Sequence, residues 1–138
     1  MSEYDMRGKV VRALKDYHAI PVENSVCAGT PDVNCTLGWI ELKWLRNWPS
    51  NEETCPLGNG KIRREQINWA NRRQKAYGGA SVYLLLQVKR EWFLFSGFQM
   101  ERLEVATRQG LYDLALIKSS KGLDATFIRD LIDNLIPF

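Results

Sequence analysis

Asp32, Glu41 and Lys43 fall within AGTPDVNCTLGWIELKW, residues 28 to 44, where valine, isoleucine, leucine and tryptophan otherwise read as the core of a sheet. Side chains along a strand alternate faces. Trp39, Glu41, Lys43 and Leu45 therefore share one face, and Ile40, Leu42 and Trp44 share the other, which packs the core. Asp32 lies on the preceding strand, and the Leu37-Gly38 turn brings that strand alongside. Carboxylates held together repel unless a cation lies between them. Mg²⁺ is a hard ion that suits oxygen ligands and is held by one or two carboxylates plus waters. A lysine beside such a site faces something other than the metal, such as a phosphate oxygen or an attacking water. Metal and lysine next to a phosphodiester are the ingredients of its hydrolysis: one activates water and neutralises charge on phosphorus, the other adds electrostatic stabilisation. The alternative is an outward-facing Glu41–Lys43 pair, with Asp32 an ordinary turn residue after Pro31.

The elements that must position these residues follow from periodicity and breakers. Residues 3 to 17 fit a helix with Val10, Val11 and Leu14, flanked by Tyr4 and Tyr17, as its apolar stripe. Ile20 to Cys27 reads as a strand, Ala28 to Pro31 as a turn, Asp32 to Thr36 as a short strand and Trp39 to Leu45 as the clearest strand in the chain. RNWPSNEETCPLGNG, residues 46 to 60, is a loop long enough to suggest a role of its own. Ile62 to Tyr77 is a helix stopped by Gly78-Gly79. Ala80 to Lys89 and Glu91 to Phe95 are strands joined by a Lys89-Arg90 turn. Phe98 to Thr107 is expected to be helical, and Leu114 to Ile117 to be a strand or a helical turn. Asp124 caps a helix to Leu135 that carries Phe127, Ile128, Leu131, Ile132 and Leu135 on one side. The sum is a single mixed α/β domain over residues 1–138, built on one sheet, with a core at about 3–95 and a helical extension at 97–138.

Composition narrows the class. The 138 residues are 45% hydrophobic and 25% charged, the balance of a globular chain. No stretch reaches a membrane span and Met1 to Asp5 does not begin a signal peptide, so a cytoplasmic protein with no membrane partner is expected. Three cysteines without CxxC spacing argue against a zinc site and a disulfide framework, and one histidine cannot build a histidine-based nuclease. A net charge of +3 permits a nucleic-acid partner without demanding one. The charge is concentrated, however: Lys61, Arg63, Arg64, Arg72, Arg73 and Lys75 are opposed in their segment only by Glu65. They form either a DNA-backbone-binding surface or a solvated helix face. Trp44, Trp48, Trp69 and Trp92 are expected as core or interface aromatics, with Trp48, in its loop, the best placed to stack on an unpaired base.

Pro31-Asp32 and Glu41-Leu42-Lys43 resemble the signature of the PD-(D/E)xK nuclease superfamily. The fuller strings Gly29-Thr30-Pro31-Asp32 and Trp39-Ile40-Glu41-Leu42-Lys43 are most similar to its small VRR-NUC and Holliday-junction-resolvase-like branch, whose members often stand alone in phages and mobile elements. The resemblance spans about residues 3 to 95 and leaves 97 to 138 unmatched. It implies a restriction-endonuclease-like core in the order αβββαβ, DNA as substrate, Mg²⁺ or Mn²⁺ as cofactor and action in a host cytoplasm. It further implies Asp32 and Glu41 as metal ligands, the Leu42 carbonyl as a third, Glu3 on the first helix as a fourth with Asp5 in reserve, and Lys43 as the catalytic lysine. Gln66, in REQINW, matches the glutamine that the branch carries on its next helix. The expected activity is hydrolysis of DNA, selective for junctions or flaps. A site-specific homing or restriction enzyme on the same core, and a nucleic-acid-binding module without catalysis, are the alternatives. Cutting two strands needs two sites, which a homodimer through the C-terminal stripe would supply.

Overall fold

A run of residues buried on both sides, Val82–Val88 in VYLLLQV, forms the central strand of the sheet. Such an unbroken apolar run is what a strand covered on both faces requires. The computed structural model describes residues 2–24 and 26–135. The order is α1 (Glu3–Ala13), β1 (Ile20–Pro21), β2 (Val33–Cys35), β3 (Gly38–Leu45), α2 (Arg64–Tyr77), β4 (Val82–Val88), β5 (Glu91–Ser96), α3 (Met100–Glu104), α4 (Arg108–Leu114), β6 (Ile117–Ser119) and α5 (Ala125–Leu135). The six strands lie side by side in sequence order. All neighbours are antiparallel except β3 and β4, which run parallel from Trp39↔Val82 to Leu45↔Val88. The fold is therefore α/β, an open mixed sheet flanked by helices. Among the described residues no helix is long and apolar enough to cross a membrane.

Strand alternation sorts the core into two layers. Ile40, Leu42, Leu85 and Leu94 point to one face and meet Met6 and Val10 of α1, Leu14 just after it, and Phe127, Leu131 and Leu135 of α5. Leu84, Leu86, Phe93 and Phe95 point to the other and meet Ile67, Trp69 and Ala70 of α2 with Met100, Leu103 and Leu111. Trp39 and Leu45 pack on this second side. The parallel link between β3 and β4 runs through α2, which lays that helix over the strand face that also carries Glu41 and Lys43. Gly38 permits the close start of this pairing. Its φ is +141°, and a Cβ there would stand 2.7 Å from the Ser81 carbonyl oxygen, which accepts the Trp39 N–H at 2.9 Å.

Several expected elements are redrawn. Of the strand expected over 20–27, the ladder covers Ile20–Pro21, and the Val22 N–H still donates to the Asp32 carbonyl at 2.8 Å; Ser25 within it lies outside the described residues. Pro21 offers no N–H, and the Asn24 carboxamide oxygen accepts the N–H groups of Val26 and Cys27, turning the chain instead of extending it. The buried side of α1 is Met6 and Val10, continued by Leu14 at its C-cap, and Tyr4 is exposed. The helix expected to Thr107 stops at Glu104, because Thr107 caps α4 by accepting the Gly110 N–H. Residues 97–135 are no appendage: β6 pairs with β5, and α5, held at its start by Asp124 on the Phe127 N–H, completes the first core layer. The apolar stripe behind the homodimer expectation is thus occupied within the chain. Trp48 does not wait for a base. Its ring packs on Phe93 and Tyr112, its indole N–H donates to Glu91, and Arg108 covers it at 4.6 Å. With Tyr112 also donating to Glu91, and Leu57 and Ile62 buried, the long loop is fastened to the second core layer.

Candidate active site

Strand β2 ends its pairing with β3 at Val33↔Ile40, so among the described residues the edge of β3 beyond Ile40 has no strand partner on that side. Asp32 takes over there: its Oδ2 accepts the Leu42 N–H at 2.8 Å. The carbonyl of a strand residue leaves on the same edge as its N–H, so the Leu42 carbonyl opens beside Asp32. Glu3, Tyr4, Arg7, Asp32 and Leu42 line a cleft of about 210 Å³. Arg7 is braced by an ion pair to Glu23 at 3.2 Å.

Glu41 is almost completely buried, its residue 2% exposed. Gln66, one turn into α2, reaches it with Nε2 donating to Oε2 at 3.0 Å. The same amide presents its oxygen to two donors, Lys43 Nζ at 3.1 Å and the Arg63 N–H at 3.0 Å. One side chain therefore starts α2, fixes Glu41 and fixes Lys43, whose Nζ lies 3.6 Å from Glu41 Oε2. The second Glu41 oxygen, Oε1, is buried and has no donor among the described residues. An orphaned carboxylate oxygen is costly, and the neighbouring Asp32 carboxylate adds to that cost. Burial first, then Asp32, push the Glu41 pKa well above the ordinary range, against the pull of Lys43. Burial and Asp32 also raise that of Glu3, while Lys43, Arg7 and Arg63 act to lower it. The pair needs a shared proton or a cation, and a hard divalent ion fits the donor set of two carboxylates and a carbonyl. Among the described residues, no three histidine, cysteine, aspartate or glutamate side chains converge as a ready-made cage. Glu3 lies in the same cleft and the same field rather than in such a cage.

The loop carrying Asp32 is positioned by Gly29. Its φ is +88°, and a Cβ would sit 2.1 Å from the Glu65 carbonyl oxygen, so the loop lies directly on the first turn of α2. Gly29→Ala combines a strained backbone with a clash against backbone. It is expected to cost about 2 kcal/mol in urea unfolding and, by displacing Asp32 relative to Gln66, to weaken any Mn²⁺ binding there, read by calorimetry.

The structure thus brings Asp32, Glu41, Lys43, Leu42 and Gln66 together, with Glu3 at the edge. All six basic residues, Lys61, Arg63, Arg64, Arg72, Arg73 and Lys75, are exposed, as either reading of them requires. Arg64 is paired with Glu101 at 3.7 Å. The Arg73 guanidinium sits over the rings of Trp39 and Trp69, 5.3 and 4.7 Å from their centroids. Sequence reasoning left this stack out. The signal was there: Trp39 shares the strand face of Glu41, and Trp69 and Arg73 stand four apart on a helix. Compared with family models, with curated proteins and with solved structures, the chain matches none closely enough to be assigned by similarity.

Proposed function

We propose that this chain is a metal-dependent DNA endonuclease whose sheet is a restriction-endonuclease-like core. The observation that carries the reading is the buried Glu41, facing Asp32 with an orphaned oxygen, while Gln66 locks Lys43 beside it. No surface ion pair calls for such an arrangement. Asp32, Glu41 and the Leu42 carbonyl would hold Mg²⁺ or Mn²⁺, with Glu3 adding negative charge. When bound, the ion supplies Lewis-acid stabilisation of the phosphodiester and lowers the pKa of water. Lys43 then presents a fixed ammonium to the charge that develops on the phosphate oxygens. Gln66 keeps that ammonium from collapsing onto Glu41, since its carbonyl oxygen is the nearer partner. Hydrolysis adds water across one P–O bond: the water oxygen joins phosphorus, and the ester oxygen leaves and takes a proton. The exposed basic residues of α2 and its approach supply backbone contacts, which hold DNA without reading its sequence.

The test is a labelled panel of duplex, nicked, flap, four-way-junction and single-stranded DNA, incubated with Mg²⁺, Mn²⁺ or EDTA. Cleavage with either metal and none with EDTA is expected. Retention of DNA without cleavage of any member, together with no Mn²⁺ binding, would replace the enzyme with a binding module. A cut at one defined place in duplex alone would favour a site-specific enzyme.

A further inference from the structure

We propose that a second cleft, lined by Cys27, Trp69, Arg72, Arg73, Ala76 and Tyr77, holds an unpaired nucleotide, so that the preferred DNA carries a single-stranded segment next to the cut. This rests on the nuclease reading for where cutting occurs, but not for the binding itself. The cleft measures about 600 Å³, well above that at Asp32 and within the range of small-ligand sites.

Its chemistry is a mixture of ring faces and fixed cations. Arg73 is held by the two indoles, which themselves meet edge to face at 5.0 Å. A guanidinium stacked on aromatic rings keeps its N–H edges available and loses little further freedom when it binds a phosphate. Among the described residues neither Arg72 nor Arg73 is paired with a carboxylate, whereas Arg7, Arg64 and Arg108 are. Tyr77, the last residue of α2, is 61% exposed, an aromatic ring left in solvent at the rim of the cleft. An exposed ring beside arginines without carboxylate partners suits base stacking with phosphate contacts.

Placement links the cleft to the site. Trp39 is two residues from Glu41 on the same strand face. Trp69 and Arg73 lie three and seven residues beyond Gln66, which is about 5 and 10 Å along the helix axis. A strand crossing Lys43 is therefore led along α2 into the cleft. Within a duplex the base faces are stacked and only phosphates are offered to such a surface. Charge alone would favour duplex, which is the denser polyanion, so a preference for single strand has to come from the rings.

The experiment is fluorescence anisotropy in EDTA, where cleavage plays no part, using labelled oligo-dT, a blunt duplex of equal length and free thymidine monophosphate. The single strand is expected to bind about tenfold more tightly than the duplex. Tyr77→Ala should weaken single-strand binding about tenfold and leave duplex binding nearly unchanged, with Tyr77→Phe restoring it. A 2-aminopurine base in the strand should be quenched by wild type and not by Tyr77→Ala. Tyr77 is exposed at a helix end, so its removal leaves the core intact. Equal or tighter binding of duplex, wild-type single-strand affinity in Tyr77→Ala, or binding of the free nucleotide as tight as that of the strand would overturn the proposal. A preference for single strand that survives while no substrate is cut would instead count against the nuclease reading alone.

Discussion

Lys43→Ala and Asp32→Asn are each expected to slow the proposed metal-dependent DNA cleavage by roughly a hundred- to a thousandfold or more, the scale on which a preorganised charge acts at a reacting centre, but for different reasons. Lys43 is not a ligand. Its ammonium lies 3.6 Å from Glu41 and repels any cation held there. Lys43→Ala should therefore bind Mn²⁺ at least as tightly as wild type while losing the chemistry. Asp32→Asn removes the charge of a proposed ligand and should lose Mn²⁺ binding. The asparagine is the better probe than alanine, because its carbonyl oxygen can still accept the Leu42 N–H that Asp32 now accepts at 2.8 Å. Alanine would leave that N–H without its partner and offset the relief of carboxylate repulsion. Calorimetry with Mn²⁺ and a gel-based cleavage assay separate the two defects. Lys43→Ala cutting at the wild-type rate in a nuclease-free preparation would end the proposed mechanism.

What the sequence made legible is what depends on a residue and its near neighbours. Alternation along β3 assigned Ile40 and Leu42 to one core layer and Glu41 and Lys43 to the opposite face, as the structure has them. The glycines after Tyr77 marked the end of α2, where Gly78 takes the left-handed conformation. What was not legible depends on partners far away in the chain. The burial of Glu41 comes from α2 being laid across its face by the parallel β3–β4 link, and no local pattern encodes that. Gly29 reads as a turn glycine, yet its stricter constraint is the Glu65 carbonyl against it. Trp48 reads as exposed because its loop is polar, but Glu91, Arg108 and Tyr112 together give the indole a polar socket. β1 fell short for the opposite reason, since extended residues remain a strand only as far as a partner runs beside them.

Glu41→Gln is expected to make the metal-free protein more stable at pH 8 than wild type, and to abolish most of the pH dependence of that stability. The folded protein holds a proton on Glu41 more tightly than the unfolded chain does, because burial and the Asp32 carboxyl disfavour its charged form. As pH rises past the ordinary glutamate value of 4.5, the unfolded chain gives up this proton first. Where the folded state binds more protons, stability falls with pH. Wild type in EDTA should thus lose stability from that value upward, through the raised pKa of Glu41, and then level off. Glu3, raised in the same direction, adds to the slope. Glutamine has no proton to lose, accepts the Gln66 amide with its oxygen and can turn its NH₂ toward Asp32, so the orphaned acceptor becomes a donor facing a carboxylate. Removing an unsatisfied buried group is worth about 1–3 kcal/mol, which in a chain of this length is a rise in Tm of roughly 3–10 °C at pH 8. Mn²⁺ should act on wild type and hardly at all on the variant. It favours the charged pair and should raise the wild-type Tm progressively more as pH increases, while leaving Glu41→Gln almost unmoved. Thermal unfolding from pH 5 to 8, with EDTA and with Mn²⁺, measures both effects. A wild-type Tm in EDTA that climbs across this range would mean that Glu41 is ionised without cost. The buried pair would then already be satisfied by the protein alone, and the argument for a divalent ion between Asp32 and Glu41 would lose its basis.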